Sequence, residues 1–458
     1  MKRRRVRLIS RYTSNDTSQK TVLWNQMQTV VILSPHFPPA TLAGVHRARH
    51  LAKYLPQFGW RPIVLRAHER HYTEKLDPIL ASLVPDRVEQ VRTEAFPASL
   101  ARLVGVGDIG LRGLNGFRRA LDTLAKAQRI DAVLITGSPF YPMLLAKHIR
   151  KHLGIPVVLD FQDPWVSPEG TQRSRWSKGW AAHKLALALE PTVVRHADFI
   201  TSVSERQNEE MAARYPFLDL AQMAAIPIGG DPEDFDALRL HSSHDAQLTL
   251  RPGLKHFVYV GAFLPRSGPV VRVLFGALRA LKAERQNLSS KVKFTFVGTS
   301  NQPGGSSGHR VKPIAEAEGV GDLVDEHAPR VPFLEALSLL ANADGLMMIG
   351  SDEPHYTASK IYPNLMAARP YLSIFHEASS AHTILSSAGG GAAFSFNGDA
   401  SLNALENPIK EAVANMIDTP EAFGKPNRDA YAPYTADAVA GRFADVFARA
   451  AKAAGKNT

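Results

Sequence analysis

Nine short apolar runs constrain this chain more than any other feature. They are Thr29–Ser34, Pro62–Leu65, Ala132–Thr136, Val157–Phe161, Asp198–Ser204, Phe257–Val260, Lys293–Val297, Gly345–Ile349 and Tyr371–Phe375. Most are continuous rather than alternating, as expected of strands buried on both faces of a sheet. A tight loop, His36-Phe37-Pro38-Pro39 with Gly44, follows the first run. From Val45 the apolar positions Ala48, Leu51, Ala52 and Leu55 recur at helical spacing until Gly59. Strand, glycine loop, helix, strand is one doubly wound unit. The pattern restarts at Phe257: strand, Gly261, a loop through Pro265-Arg266-Ser267-Gly268, then a helix opened by Pro269, with Val270, Val273, Leu274, Ala277, Leu278 and Leu281 on its apolar face. The expected fold class is α/β, with two doubly wound Rossmann-like domains, residues 27–240 and 241–425. The polar stretch His241–Arg251 serves as the linker.

Charge is unevenly placed. Residues 1–26 hold seven Lys/Arg and one Asp, so of the formal +11 only about +5 (47 minus 42) belongs to the rest. With no aromatic–basic stacking platform in residues 27–458, nucleic-acid binding is not expected. The basic tail, residues 1–26, reads as disordered or as a mis-assigned start before Met27, and lacks the apolar core of a signal peptide. No run approaches the ~18 apolar residues of a membrane span. The absence of cysteine excludes disulfides, cysteine nucleophiles and thiolate-held zinc, and fits a reducing compartment. No His/Asp/Glu spacing suggests a metal.

Several residues carry chemistry. Lys360 starts a short helical segment after Gly345–Ile349 and the turn Ser351-Asp352-Glu353-Pro354; a lysine beside free backbone N–H groups attracts phosphate. Arg266, between Gly261 and Gly268, reads as a fork for a diphosphate or as a surface arginine. Asp163, in Asp160-Phe161-Gln162-Asp163-Pro164-Trp165, reads as a base or as a turn and cap residue. The segment Leu100–Ala127 mixes arginines and apolar residues; four glycines argue against one helix, and it reads as packed helices or as a surface for anionic lipid. Trp176 and Trp180, flanked by Arg173, Arg175, Lys178 and Lys184, fit an ordinary packed helix or a membrane boundary. Asn301–Arg310 reads as a flexible Gly/Ser loop.

Tyr356–Leu372 (YTASKIYPNLMAARPYL), GIPVVLDFQDPW at 154–165, HADFITSVS at 196–204, IPIGGDPEDF at 226–235 and the PPATLAG loop at 38–44 together resemble glycosyltransferase family 4 over most of Met27–Phe375. The resemblance implies the GT-B architecture, two such domains facing a cleft, with a C-terminal segment, 426–458, packing back on the first domain. It implies a retaining, metal-independent transfer from a nucleotide-sugar to a glycan or lipid-linked acceptor, in surface polysaccharide assembly at the cytoplasmic face of the membrane. It needs no cofactor besides the donor. Asp163 is then the catalytic candidate. Gly44, Gly261, Arg266, Lys360, Glu353 and Tyr362 fall on the donor side, and His36, His46, Arg47 and Trp165 on the acceptor side. Pro363 and His355 stand where family members carry acids, and Gln162 where many carry arginine. The alternative is therefore a non-catalytic GT-B protein that binds a partner enzyme or glycan, its donor site lost.

Overall fold

Seven parallel strands form the first sheet of the computed structural model, which describes residues 26–103, 107–167, 170, 174–240, 248–300, 308–353 and 359–456. The strands are β1 (Gln28–Leu33), β2 (Trp60–Ala67), β3 (Glu89–Thr93), β4 (Ala132–Gly137), β5 (Val157–Phe161), β6 (Phe199–Ser202) and β7 (Met223–Ala225), in the order β3-β2-β1-β4-β5-β6-β7. The second sheet takes β8 (Lys255–Val260), β9 (Val292–Val297), β10 (Val324–His327), β11 (Gly345–Ile349), β12 (Tyr371–His376) and β13 (Gly391–Phe396), in the order β10-β9-β8-β11-β12-β13, again all parallel. Both orders reverse at one point, between β1 and β4 and between β8 and β11. Such a reversal leaves a crevice beyond the carboxyl ends of the strands, because the two loops there turn to opposite faces.

Alternate residues of β1 feed two separate cores. Val31 and Leu33 pack with Phe117 and Leu121 of the helix Leu114–Ala127. Val30 and Ile32 pack with Ala48 and Leu51 of the helix Val45–Tyr54, and with Val439, Phe443 and Phe447 of the C-terminal helix Ala436–Lys456. The chain thus returns across the second domain to cover the first. Outgoing and returning strands of the crossover run side by side, Gly230 N–H donating to Tyr434 O at 3.0 Å and Ala436 N–H to Gly230 O at 2.8 Å. Gly229 adopts φ +74°, and a Cβ there would lie 2.5 Å from Tyr434 O, so the backbone conformation and the close approach both call for glycine.

The segment from residue 98 to 127 divides into three helices, Ala98–Leu103, Ile109–Arg112 and Leu114–Ala127. The glycine-based expectation of a broken helix holds there. No helix among the described residues is long and apolar enough to cross a membrane. The tail at 1–25, the linker at 241–247, most of the Gly/Ser loop, His355 and Tyr356 lie outside the described residues.

Candidate active site

The two crevices carry the sequence-predicted glycines. Gly44 is the N-cap of the helix Val45–Tyr54 at the β1–β4 reversal, where a Cβ would sit 3.4 Å from Gln162 Oε1 and 3.6 Å from Ser138 O, beyond β5 and β4 respectively. Gly261 follows β8 at the second reversal, and its Cβ position lies 3.7 Å from Lys360 Cγ. His46, in the first turn of the helix Val45–Tyr54, meets the second domain directly: its ring lies 4.5 Å from that of Phe333, at the head of the helix Phe333–Asn342. Asp77 closes the same contact by accepting Phe333 N–H at 3.1 Å.

Lys360 is accessible but closely surrounded by protein. Loss of surrounding water lowers its pKa, and the nearby Arg330 guanidinium lowers it further. Lys360 lies beside Gly261 and within reach of the Arg330 charge, and neither cation has an ion-pair partner among the described residues; two such cations suit a polyanion. Sequence reasoning missed Arg330; the only signal was its place just beyond the end of β10. His46 also feels the charge of Lys360. Burial first, then the Arg49 and His50 charges, hold its pKa well below the usual value, so it is neutral at pH 7. The N-terminus of the helix Lys312–Ala317 is not available to an anion. Glu326 already accepts Val311 N–H at 3.0 Å and Lys312 N–H at 2.7 Å there.

Arg266 and Glu353, both expected on the donor side, are brought together with each other. Arg266 Nε donates to Asp352 at 2.6 Å and its NH1 to Glu353 at 3.1 Å, with Arg266 and Asp352 exposed and Glu353 half-buried. Exposed pairs of this kind contribute about 0–1 kcal/mol, so a diphosphate can displace the carboxylates from the fork.

Two other expected residues lie behind the site. Arg47 is fully buried: it donates to Pro227 O at 2.7 Å and Ile226 O at 2.6 Å, and its Nε lies 3.2 Å from Asp160. The helix bearing it is covered on one side by β-strands and on the other by the C-terminal helix, where the Phe443 ring lies 5.0 Å away. Tyr362 is only 1% exposed, packs on Tyr434 at 5.4 Å, and lies against Gly230. Both residues brace the crossover instead of facing the crevice. Arg49 extends the brace, with a bidentate pair to Asp234 at 2.7 and 2.6 Å. That region also gathers His50, Asp231 and Asp234, whose ligand atoms lie within 4.8 Å of one another. Sequence spacing could not join residues about 180 positions apart. Arg49 already holds Asp234, while Lys53 and Tyr54 hold Asp231, each at 2.7 Å.

On the acceptor side, His36 is half-buried, bonded through Nδ1 to Glu74 at 2.8 Å and stacked on Tyr72. Trp165 stacks on Phe140 with ring centroids 5.4 Å apart. Asp163 is exposed and has no ion-pair partner among the described residues; desolvation by the surrounding protein raises its pKa. No contact joins it to His46 or Lys360. The Oε1 of Gln162, beside Gly44, is buried without a hydrogen-bond partner among the described residues.

Two parallel doubly wound sheets with facing crevices and a returning C-terminal helix are the GT-B architecture. Residues 43–229 match the family described as glycosyl transferase 4-like domain. The resemblance read from the sequence is therefore borne out where the first sheet lies. No curated sequence matches the chain significantly. Among solved structures it is similar to HepE of Anabaena in complex with UDP and glucose (13% identity, TM-score 0.56, covering 92% of this chain and 99% of that one). It is also similar to a glycosyltransferase from Rickettsia africae (15% identity, TM-score 0.57, 94% and 100%). A third is an alpha,alpha-trehalose 6-phosphate synthase from Burkholderia multivorans (13% identity, TM-score 0.59, 94% and 99%). At these identities the likeness is one of fold.

Proposed function

We propose that the protein transfers a sugar from a nucleotide-sugar to a glycan or lipid-linked acceptor, with retention at the anomeric carbon and without a bound metal, in the assembly of surface polysaccharide. The observation that carries this is Lys360 beside Gly261 at the reversal of the second sheet, with the Arg330 charge near it and His46 of the first domain close enough to feel the lysine charge. The chemical difficulty in such a transfer is charge developing on the leaving diphosphate, and fixed cations in a dehydrated crevice stabilise it. Lys360 and Arg330 meet the diphosphate, and the Arg266 fork adds to them once its carboxylates are displaced. The backbone at Gly44 and the neutral His46 face the donor from the first domain, and Asp163 orients the acceptor hydroxyl. The solved structure with UDP and glucose supports the choice of donor class.

The test is a thermal-shift titration of the full chain with UDP, GDP, ADP, CMP and dTDP, beside Lys360→Ala. A nucleotide at a hundredfold excess over Kd stabilises by about 2.7 kcal/mol. One nucleotide is expected to shift the wild type, and Lys360→Ala to weaken it by roughly tenfold to a hundredfold, the value of one charged hydrogen bond. A second reading, a GT-B protein that binds a partner without catalysis, draws on Pro363 at the place of the family's acid; absence of any shift in a folded sample selects it.

The same reading places the protein in the cytoplasm, at the inner face of the membrane. Its support is the region around the helix Lys178–Val194, where Trp176 is 87% exposed and Leu185 44%, beside exposed Lys178 and Lys184. Apolar residues among cations suit an anionic lipid surface. Co-sedimentation with anionic vesicles, lost in Trp176→Ala/Leu185→Ala, is expected; sedimentation unaffected by the double substitution refutes it.

A further inference from the structure

The outer edge of the first sheet carries a second concavity, of about 470 Å³, within the range of ligand pockets. Arg66, only 2% exposed, forms its floor near the end of β2. Its guanidinium is fixed from three sides: Nε donates to Gln90 Oε1 at 3.0 Å, NH1 to Ala67 O at 3.2 Å and to Glu69 Oε2 at 2.9 Å. Arg92 stands at the rim, exposed, 3.7 Å from the same Glu69 carboxylate. The walls are Pro38, Pro78 and Pro85.

This chemistry differs from that of the central crevice. The two arginines here are balanced by Glu69 and Asp86, so the pocket lacks the excess positive charge that recruits a phosphate. A lipid chain would bury the exposed charges of Arg92 and Asp86 without satisfying them. Arg66 and Arg92 bring donors to the lining, Glu69, Asp86 and Gln90 bring acceptors, and the prolines offer rigid C–H faces. A sugar ring presents the matching surface, with hydroxyls that donate and accept around an edge and apolar faces above and below.

The position points the same way. Pro39 O accepts Asp77 N–H at 2.8 Å, and Asp77 in turn holds Phe333 of the second domain. The pocket wall therefore continues into the contact between the domains. β3 lies two strand spacings from β1, roughly 10 Å. We propose that this pocket is a subsite for a sugar unit of the acceptor, remote from the unit that reacts, and so that the acceptor is an oligosaccharide. The proposal rests on the transferase reading above and commits its acceptor to a glycan of several units.

Saturation-transfer NMR on the full chain tests it, with maltotriose, cellotriose, mannotriose and N-acetylchitotriose as probes at millimolar concentration. At least one is expected to receive saturation, strongest on one terminal ring. The signal is expected to vanish in Ala81→Trp, which fills the pocket, and to fall severalfold in Arg92→Ala, whose exposed position leaves the fold intact. Nucleotide thermal shifts should be unchanged in both. No transfer to any of the four, transfer that persists in both variants, or complete displacement by inorganic phosphate overturns the proposal. If a trisaccharide binds and no nucleotide does, the pocket stands and the transferase reading falls.

Discussion

Removing Asp234 should be among the most damaging single changes to this protein. The Arg49 guanidinium and the Asp234 carboxylate meet through two hydrogen bonds of 2.7 and 2.6 Å, with side chains 0% and 4% exposed. They join the helix Val45–Tyr54 to the short helix Glu233–Ala237 at the start of the crossover. Asp234→Ala leaves the guanidinium buried without its counter-charge, which costs roughly 3–5 kcal/mol. For a cooperative unit of 150–250 residues each kcal/mol moves Tm by about 2–4 °C, so the expected loss is roughly 6–20 °C. Urea unfolding followed by tryptophan fluorescence measures it. The double variant Arg49→Met/Asp234→Leu replaces the ion pair by apolar groups of similar size and should recover most of the loss. If Asp234→Ala costs under about 1 kcal/mol, or if the double variant is destabilised by the sum of the singles, the pair is not the coupled unit argued here. The same carboxyl makes stability acid-sensitive. Burial pushes its pKa up, but the Arg49 hydrogen bonds outweigh burial and hold it well below the usual carboxylate range. Its contribution is full above the unfolded value, near 3.9, and is lost as pH falls through the depressed folded value.

Other consequences are open to measurement. Nucleotide affinity should be flat at neutral pH and decline as pH rises through the lowered pKa of Lys360, earlier than an ordinary lysine near 10.4 would allow; Lys360→Arg should extend the plateau, and affinity unchanged to pH 10 refutes the role. Asp352→Asn/Glu353→Gln frees the Arg266 fork and should tighten nucleotide binding by severalfold in the same titration; weaker binding would mean the acids themselves contact the donor. Gly229→Ala should destabilise by roughly 1–3 kcal/mol, from its left-handed backbone and the close Tyr434 carbonyl; a neutral result in urea melts would show that the crossover yields freely.

All nine strands read from the sequence are present, and the four it did not reveal are β3, β7, β10 and β13. Those four are the edges of the two sheets. An edge strand has one neighbour and is partly solvated, so EQVRT and VDEH carry no apolar run, and MAA is too short to register. The helix Val45–Tyr54 was legible only on the face bearing Ala48, Leu51 and Ala52. Arg47, Arg49 and His50 on its other faces are also buried, because their partners come from the crossover and the C-terminal helix, about 180 to 400 residues away. At the site, Gly44, Gly261 and Lys360 were legible because loop position after a strand is a local signal. Arg330 and the closed Arg266–Asp352–Glu353 cluster were not, since each depends on which strand ends the topology places side by side.

The returning helix Ala436–Lys456 has a consequence for biosynthesis. It covers Val30 and Ile32 of β1 and is translated after all thirteen strands. At roughly 5–20 residues per second, the first seven strands wait on the order of 10 to 40 s after residue 240 before that face can be closed. During that interval the nascent chain presents an uncovered apolar sheet face. The first domain can reach its native stability only once that helix has packed.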